Sequence, residues 1–249
     1  MTVALPSGWR SVLGLQAQPG ARHPLDAQCH ALNHAGTVIL FDAGVGDVGT
    51  SAGLDRLCAG LAGWPMPAHL FLTHGHADHS GGAAAIQRAG ARLLSGALTA
   101  QWLSGPDLQA LSLDAAKLAQ IYPAEYQLAP CMPDRVLGNG ERMAIGGIWI
   151  TAIATPGHSA DHMAYLVEYG AERVLIGGDA LFAGGRVVLQ DTWDCSVRQT
   201  CDTIRHLAPL SPTAILPGHG PAMIGPDAGA ALAAAHARVI RLLPPELFL

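Results

Sequence analysis

Residues 71–82 read FLTHGHADHSGG, and they set His74, His76, Asp78 and His79 within six positions at the end of an apolar run. In a chain with only 13% charged residues, such a concentration of imidazole and carboxylate needs a chemical reason. His74, His76 and Asp78 alternate, so a backbone that stays extended past its strand projects them to one side, where two imidazoles at i and i+2 can grip one ion. Asp78 and His79 fall where a helix should begin, because SGGAAAIQRAG follows with small residues and stops on glycine. A turn there aims the second pair at a neighbouring ion.

Three more candidates share this local setting at the C-terminal end of an apolar strand, beside small residues. His158 lies in TPGHS, Asp179 in IGGDALF and His219 in LPGHG. Strand ends along one sheet edge converge, and glycine and proline let the backbone turn sharply there. Seven donors from four strand ends suit two metal ions. Imidazole and carboxylate without thiolate favour zinc, iron or manganese and leave room for water as a further ligand, the mark of a catalytic rather than a structural site.

The remaining composition is consistent with a small-molecule enzyme. The chain has 249 residues, 50% of them hydrophobic, which is enough for a substantial core and predicts one domain spanning 1–249. Fourteen Lys and Arg against 19 Asp and Glu leave a net charge of −5, with no electrostatic footprint for nucleic acid or an anionic membrane. The N-terminus lacks a basic start followed by an apolar core, and no apolar run is as long as a bilayer span, so a cytoplasmic location is expected. Cys29, Cys58, Cys131, Cys195 and Cys201 are odd in number, scattered and without a C-x-x-C pair, which predicts buried free thiols.

Strands are predicted at 36–44, 68–74, 147–157, 163–170, 173–179 and 213–220, with helices near 51–62, 80–89, 195–208 and 227–242. The order is mixed α/β. Residues 97–135 carry helical patterning and prolines but no strand, as an insertion laid over the main body would; their Trp102, Tyr122 and Tyr126 are candidates to line a substrate pocket. The apolar C-terminus, ELFL, suits docking against the body or against a second subunit, as in a homodimer. His23, His30, His34, His69, His206 and His236 lack the strand-end setting and read as structural or surface residues.

HxHxDH followed by isolated histidine, aspartate and histidine at strand ends resembles the metallo-β-lactamase superfamily of metal-dependent hydrolases. The resemblance runs from FDAG, whose Asp42 resembles the family's early aspartate motif, to LPGHG at 216–220. It implies an αββα sandwich with the metals at one edge of the sheets. It also implies two zinc ions, with His74, His76 and His158 on the first, Asp78, His79 and His219 on the second, and Asp179 bridging; iron or manganese would suit the same donors. Asp42 is expected in a turn or supporting a ligand, and His162 resembles a histidine that supports the ligands in that family.

The chemistry so implied is attack of a metal-bound hydroxide on a carbonyl. Two divalent ions less two carboxylates and a hydroxide leave a small net positive charge to stabilise an oxyanion, and the metals lower the pKa of water from about 15.7 to near 7. Asp78 would orient the nucleophile. The expected substrate is a small ester, lactone, thioester or amide, with Arg186 and Trp193 as further candidates to contact it. Relatives of the glyoxalase II type add a helical C-terminal domain, whereas about thirty residues follow His219 here, and acyl-homoserine lactonases carry a tyrosine where GDALFAGG offers Phe182. A rival on the same scaffold is a mononuclear iron sulfur (persulfide) dioxygenase using His74, His158 and Asp179.

Overall fold

Trp9–Leu13 (β1), Cys29–His34 (β2) and Thr37–Phe41 (β3) pair antiparallel in that order. After helix α1 (Gly53–Leu61), the strands β4 (His69–Phe71), β5 (Arg92–Ser95) and β6 (Arg135–Val136) add in parallel, giving a six-stranded sheet in the order β1-β2-β3-β4-β5-β6. Parallel neighbours need crossovers. α1 supplies one, the short helices α2 (Ala77–Ser80) and α3 (Ala83–Arg88) the next, and α4 (Ala97–Ser104) and α5 (Leu113–Leu118) lie between β5 and β6. TVILF and LF are unbroken apolar runs because these strands are flanked by others and buried; the Phe41 and Phe71 rings stack at 5.3 Å.

The computed structural model describes residues 4–248, and they divide into two units: Gly8–Leu137, which holds this sheet, and Gly138 onward together with the N-terminal segment ending at Ser7. In the second unit β7 (Arg142–Ile145), β8 (Ile148–Ala154), β9 (Met163–Tyr169) and β10 (Glu172–Gly178) form an antiparallel meander. A short strand β11 (Arg186–Val187) and helix α6 (Val197–Leu207) lead to β12 (Ala214–Pro217), parallel to β10, and β13 (Met223–Ile224) closes the sheet edge. Ser196 caps α6 by accepting from Gln199 N–H at 3.3 Å. Ile204 and Leu207 of α6 join Leu232 and Val239 of the last helix, α7 (Pro226–Val239), over Leu166, Leu175 and Ile215 of the sheet. The C-terminal segment docks on its own unit: β14 (Glu246–Leu247) pairs with β11, and Phe248 stacks on Phe182 at 4.7 Å.

Each of the six predicted strands is present, and the structure corrects several local expectations. Past Phe71 the chain does not stay extended through the motif: His76 caps α2 and Asp78 lies inside it, so a helical turn rather than strand alternation presents these side chains. The helix expected over 80–89 is broken, because Gly81 and Gly82 approach so closely that a Cβ on either would sit 2.3 Å from the carbonyl oxygen of Val45 or Ala43. Segment 97–135 ends on β6, contrary to its strandless reading. Of the thiols, Cys29 and Cys131 are buried, and burial pushes Cys131 up to about 11, but Cys58 is exposed. Among the described residues no helix is long and apolar enough to cross a membrane.

One buried ion pair holds the loop after β3. Arg56 of α1 donates to Asp26 through Nε at 3.1 Å and Nη2 at 3.2 Å, and Nη2 also reaches Gly46 O at 2.7 Å. Asp26 Oδ1 accepts from Val45 N–H at 2.8 Å. Removing one partner of a buried pair strands the other charge, so Asp26→Ala should cost about 3–5 kcal/mol. Arg142→Ala, which breaks an exposed pair with Glu168 at 3.4 Å, should cost at most about 1 kcal/mol. Urea unfolding of the two variants tests this ranking, and equal losses would contradict it.

Candidate metal centre

The first set of donors belongs to the unit Gly8–Leu137. β3 ends on Phe41 and delivers Asp42, a non-glycine residue at φ +63°, into a buried position. Its Oδ1 accepts the Thr73 backbone N–H at 2.7 Å, the Thr73 hydroxyl lies 3.0 and 2.9 Å from its two oxygens, and Oδ2 is 2.8 Å from His79 Nδ1. A carboxylate only accepts, so His79 carries its proton on Nδ1 and keeps Nε2 as a lone-pair donor. Thr73 gives its hydroxyl proton to Asp42 and can accept from His74 Nδ1 at 3.0 Å, which leaves His74 Nε2 available as well. Asp42 is thus a turn residue that holds the His79 ring directly and the His74 ring through Thr73, two of the candidate ligands.

His74 Nε2 and His76 Nδ1 lie 3.0 Å apart. Two lone pairs at that distance repel unless a proton or a cation lies between them. His79 Nε2 is 3.6 Å from Asp78 Oδ2, and the His74 and His79 rings are 4.1 Å apart. A Cβ at Gly75 would meet the Leu111 side chain at 2.5 Å, with Trp102 close behind at 3.7 Å. Segment 97–135 therefore packs directly on the HGH backbone.

The second set belongs to the other unit. His158 and Asp179 are buried; Asp179 immediately follows β10, and His158 and His219 sit in the loops after β8 and β12. Asp179 Oδ2 lies 3.5 Å from both His158 Nε2 and His219 Nε2. His162 Nε2 accepts the Asp179 backbone N–H at 3.0 Å, so its Nδ1 carries the proton and faces Thr155 Oγ1 at 2.7 Å. His162 thus holds the backbone of Asp179, a candidate ligand. Asp194 Oδ2 accepts Ala160 N–H at 2.8 Å and anchors the loop that carries His158. Gly157, at φ +142°, lets that loop press onto α6, where a Cβ would lie 2.5 Å from Thr200 N.

The donors fit a metal ion. Ligands at 2.0–2.2 Å from a tetrahedral zinc stand roughly 3.3–3.5 Å from one another, and the separations within each set run from 3.0 to 3.6 Å.

Of the residues expected to contact substrate, Trp102, Tyr122 and Tyr126 are buried, Tyr122 with its hydroxyl 3.4 Å from Asp78 Oδ1. Burial and the Asp78 charge push the Tyr122 phenol far above its ordinary range. Arg186 is exposed in β11, and Trp193 is 61% exposed. Sequence reading passed over Thr73 and Thr155. Their signal is position, since each is a β-branched hydroxyl residue just ahead of a histidine-bearing turn, in FLTHGH and IATPGH.

Residues 24–219 match the family model of the metallo-beta-lactamase superfamily, and the chain belongs to that family, with the fold class expected from its sequence. It is 28% identical over 207 residues to the lactamase-like protein nscB of Trichophyton rubrum, covering 83% of this chain and 52% of that one. Thioesterase pkgB of Emericella nidulans is 28% identical over 156 residues, covering 63% of this chain and 35% of that one. The chain thus spans about half the length, or less, of these curated relatives. Among solved structures, a metallo-beta-lactamase family protein from Thermus thermophilus superposes with a TM-score of 0.69 at 26% identity, covering 94% of this chain and 80% of that one.

Replacing Asp42 by alanine leaves the Thr73 N–H, the Thr73 hydroxyl and His79 Nδ1–H without their acceptor. At about 1–3 kcal/mol for each stranded buried group, Asp42→Ala should lower the unfolding free energy of the metal-free chain by about 3 kcal/mol or more. Urea denaturation measures this, and a change within about 0.5 kcal/mol would show that the contacts carry no stability.

Proposed function

We propose that the chain is a metal-dependent hydrolase that cleaves a small ester, lactone, thioester or amide. One observation carries the reading: each unit presents imidazole and carboxylate donors at metal-ligand spacing, with the remaining ring nitrogens of His74 and His79 and the backbone N–H of Asp179 held by buried polar partners. In a member of this superfamily, His74, His76 and His158 would hold one ion, Asp78, His79 and His219 another, with Asp179 shared. The donor chemistry suits zinc and admits iron or manganese. A similarity to a protein named thioesterase supports an acyl substrate.

Bound ions would supply a water acidified toward neutrality and a Lewis acid for the carbonyl oxygen. The chain's own residues do the rest. Asp42 and Thr73 hold His79 and His74 in the tautomers that leave their Nε2 atoms as donors. His162 holds the backbone of Asp179, so its carboxylate is aimed from a fixed point. The Asp78 side chain, 20% exposed, would accept a hydrogen bond from the attacking water and orient it.

Elemental analysis of the purified chain, paired with assays on a panel of lactones, esters and thioesters, tests the proposal. About two zinc ions per chain are expected, with hydrolysis that is lost on chelation and falls at least ~100-fold in His74→Ala and Asp179→Ala. One iron per chain, with oxygen consumed on a persulfide and no hydrolysis, would overturn it in favour of the dioxygenase.

A further inference from the structure

The two carboxylate oxygens of Asp78 face different groups: Oδ2 lies 3.6 Å from His79 Nε2, while Oδ1 lies 3.4 Å from the Tyr122 hydroxyl. The backbone that carries this carboxylate is held on both sides. Its backbone is fixed, because its carbonyl accepts Ala27 N–H at 3.2 Å and the next residue's carbonyl accepts Ala43 N–H at 2.7 Å. Rotation of a carboxylate about χ2 decides which of its oxygens faces which neighbour. A phenol is protonated at neutral pH and can donate to only one of them.

Tyr122 is itself held. Its ring stacks on Tyr126 at 5.1 Å with an interplanar angle of 27°. The Tyr126 hydroxyl in turn donates to Val45 O at 2.8 Å, in the loop clamped by Asp26 and Arg56. Both rings are buried. The phenol therefore approaches Asp78 from a rigid mount built by residues 122–126, within the segment that sequence pattern marks as an insertion.

From this geometry we infer that Tyr122 is a positioning residue: its hydroxyl engages Asp78 Oδ1, so that Oδ2, on the His79 side, is the oxygen offered to a metal ion. The inference rests on the metal-ion reading of the preceding section and adds to it a residue that tunes the affinity of one ion and not the other. Tyr122 then acts on the metal through Asp78, in addition to any contact with substrate.

Calorimetric titration of the metal-free full-length chain with zinc alone separates the possibilities. Tyr122→Phe keeps the stacked ring and removes only the hydroxyl. Its expected result is a loss of at least ~10-fold in affinity for one zinc, the size typical when a group supporting a ligand is removed, with the other zinc step unchanged. Wild-type affinities at both steps would overturn the inference. So would an equal loss at both, because general loosening of the segment would also disturb the HGH backbone beneath Trp102 and Leu111. Asp78→Asn distinguishes a failure of the underlying reading: if it titrates like the wild-type chain, Asp78 is no ligand and the metal assignment falls with it.

Discussion

A carboxylate removed from water must be surrounded by donors, and Asp42 meets that demand in a way that organises its whole unit. Four contacts from Thr73 and His79 converge on its two oxygens. The Asp42 backbone N–H also donates to Phe71 O at 2.8 Å, so main chain and side chain both tie the end of β3 to the residues following β4. Satisfying the acid thus fixes the tautomers of two histidines, the start of the HGHADH turn and the left-handed backbone at position 42. Aspartate tolerates that conformation better than larger or β-branched residues do, which helps explain a residue that looks out of place after an apolar strand.

The second unit reaches a similar result by another route. Asp179 is aimed from its own backbone: His162 accepts its N–H, Thr155 meets the other nitrogen of that ring, and Asp194 ties down the loop between them. In one unit an acid orients two candidate histidine ligands, and in the other a histidine orients a candidate acid ligand. Preorganisation of this kind is what a metal site would require.

The seven candidate donors stand out because their side-chain chemistry is rare in so apolar a chain, and because each follows a strand readable as a run of Val, Ile, Leu and Phe. The supporting layer was less legible. Thr73 and Thr155 look like ordinary strand-end threonines, and only the folded backbone shows which oxygen each faces. β1 and β2 were missed because WRSVL and CHALNH place polar residues at positions that a sheet interior buries, His30 among them, 3.2 Å from Ser11 Oγ. The break between α2 and α3 was hidden for a related reason. Gly81 and Gly82 read as small helix residues, whereas their role is to let Val45 and Ala43 come within a distance no side chain allows.

That close approach also explains why the motif's glycines matter to chemistry as well as to folding. At Gly75, Gly81 and Gly157 the missing Cβ is replaced by a neighbour in tight contact: Leu111, Val45 O and Thr200 N. A loop packed this closely has little freedom to move, so candidate ligands carried on it would keep their spacing without help from an ion, and binding would not bear the entropy of ordering them. Segment 97–135 contributes to this rigidity by covering Gly75 with Leu111 and Trp102 and by stacking Tyr122 on Tyr126. A stretch that sequence pattern sets apart as an insertion is, in the folded unit, one wall of the HGHADH turn.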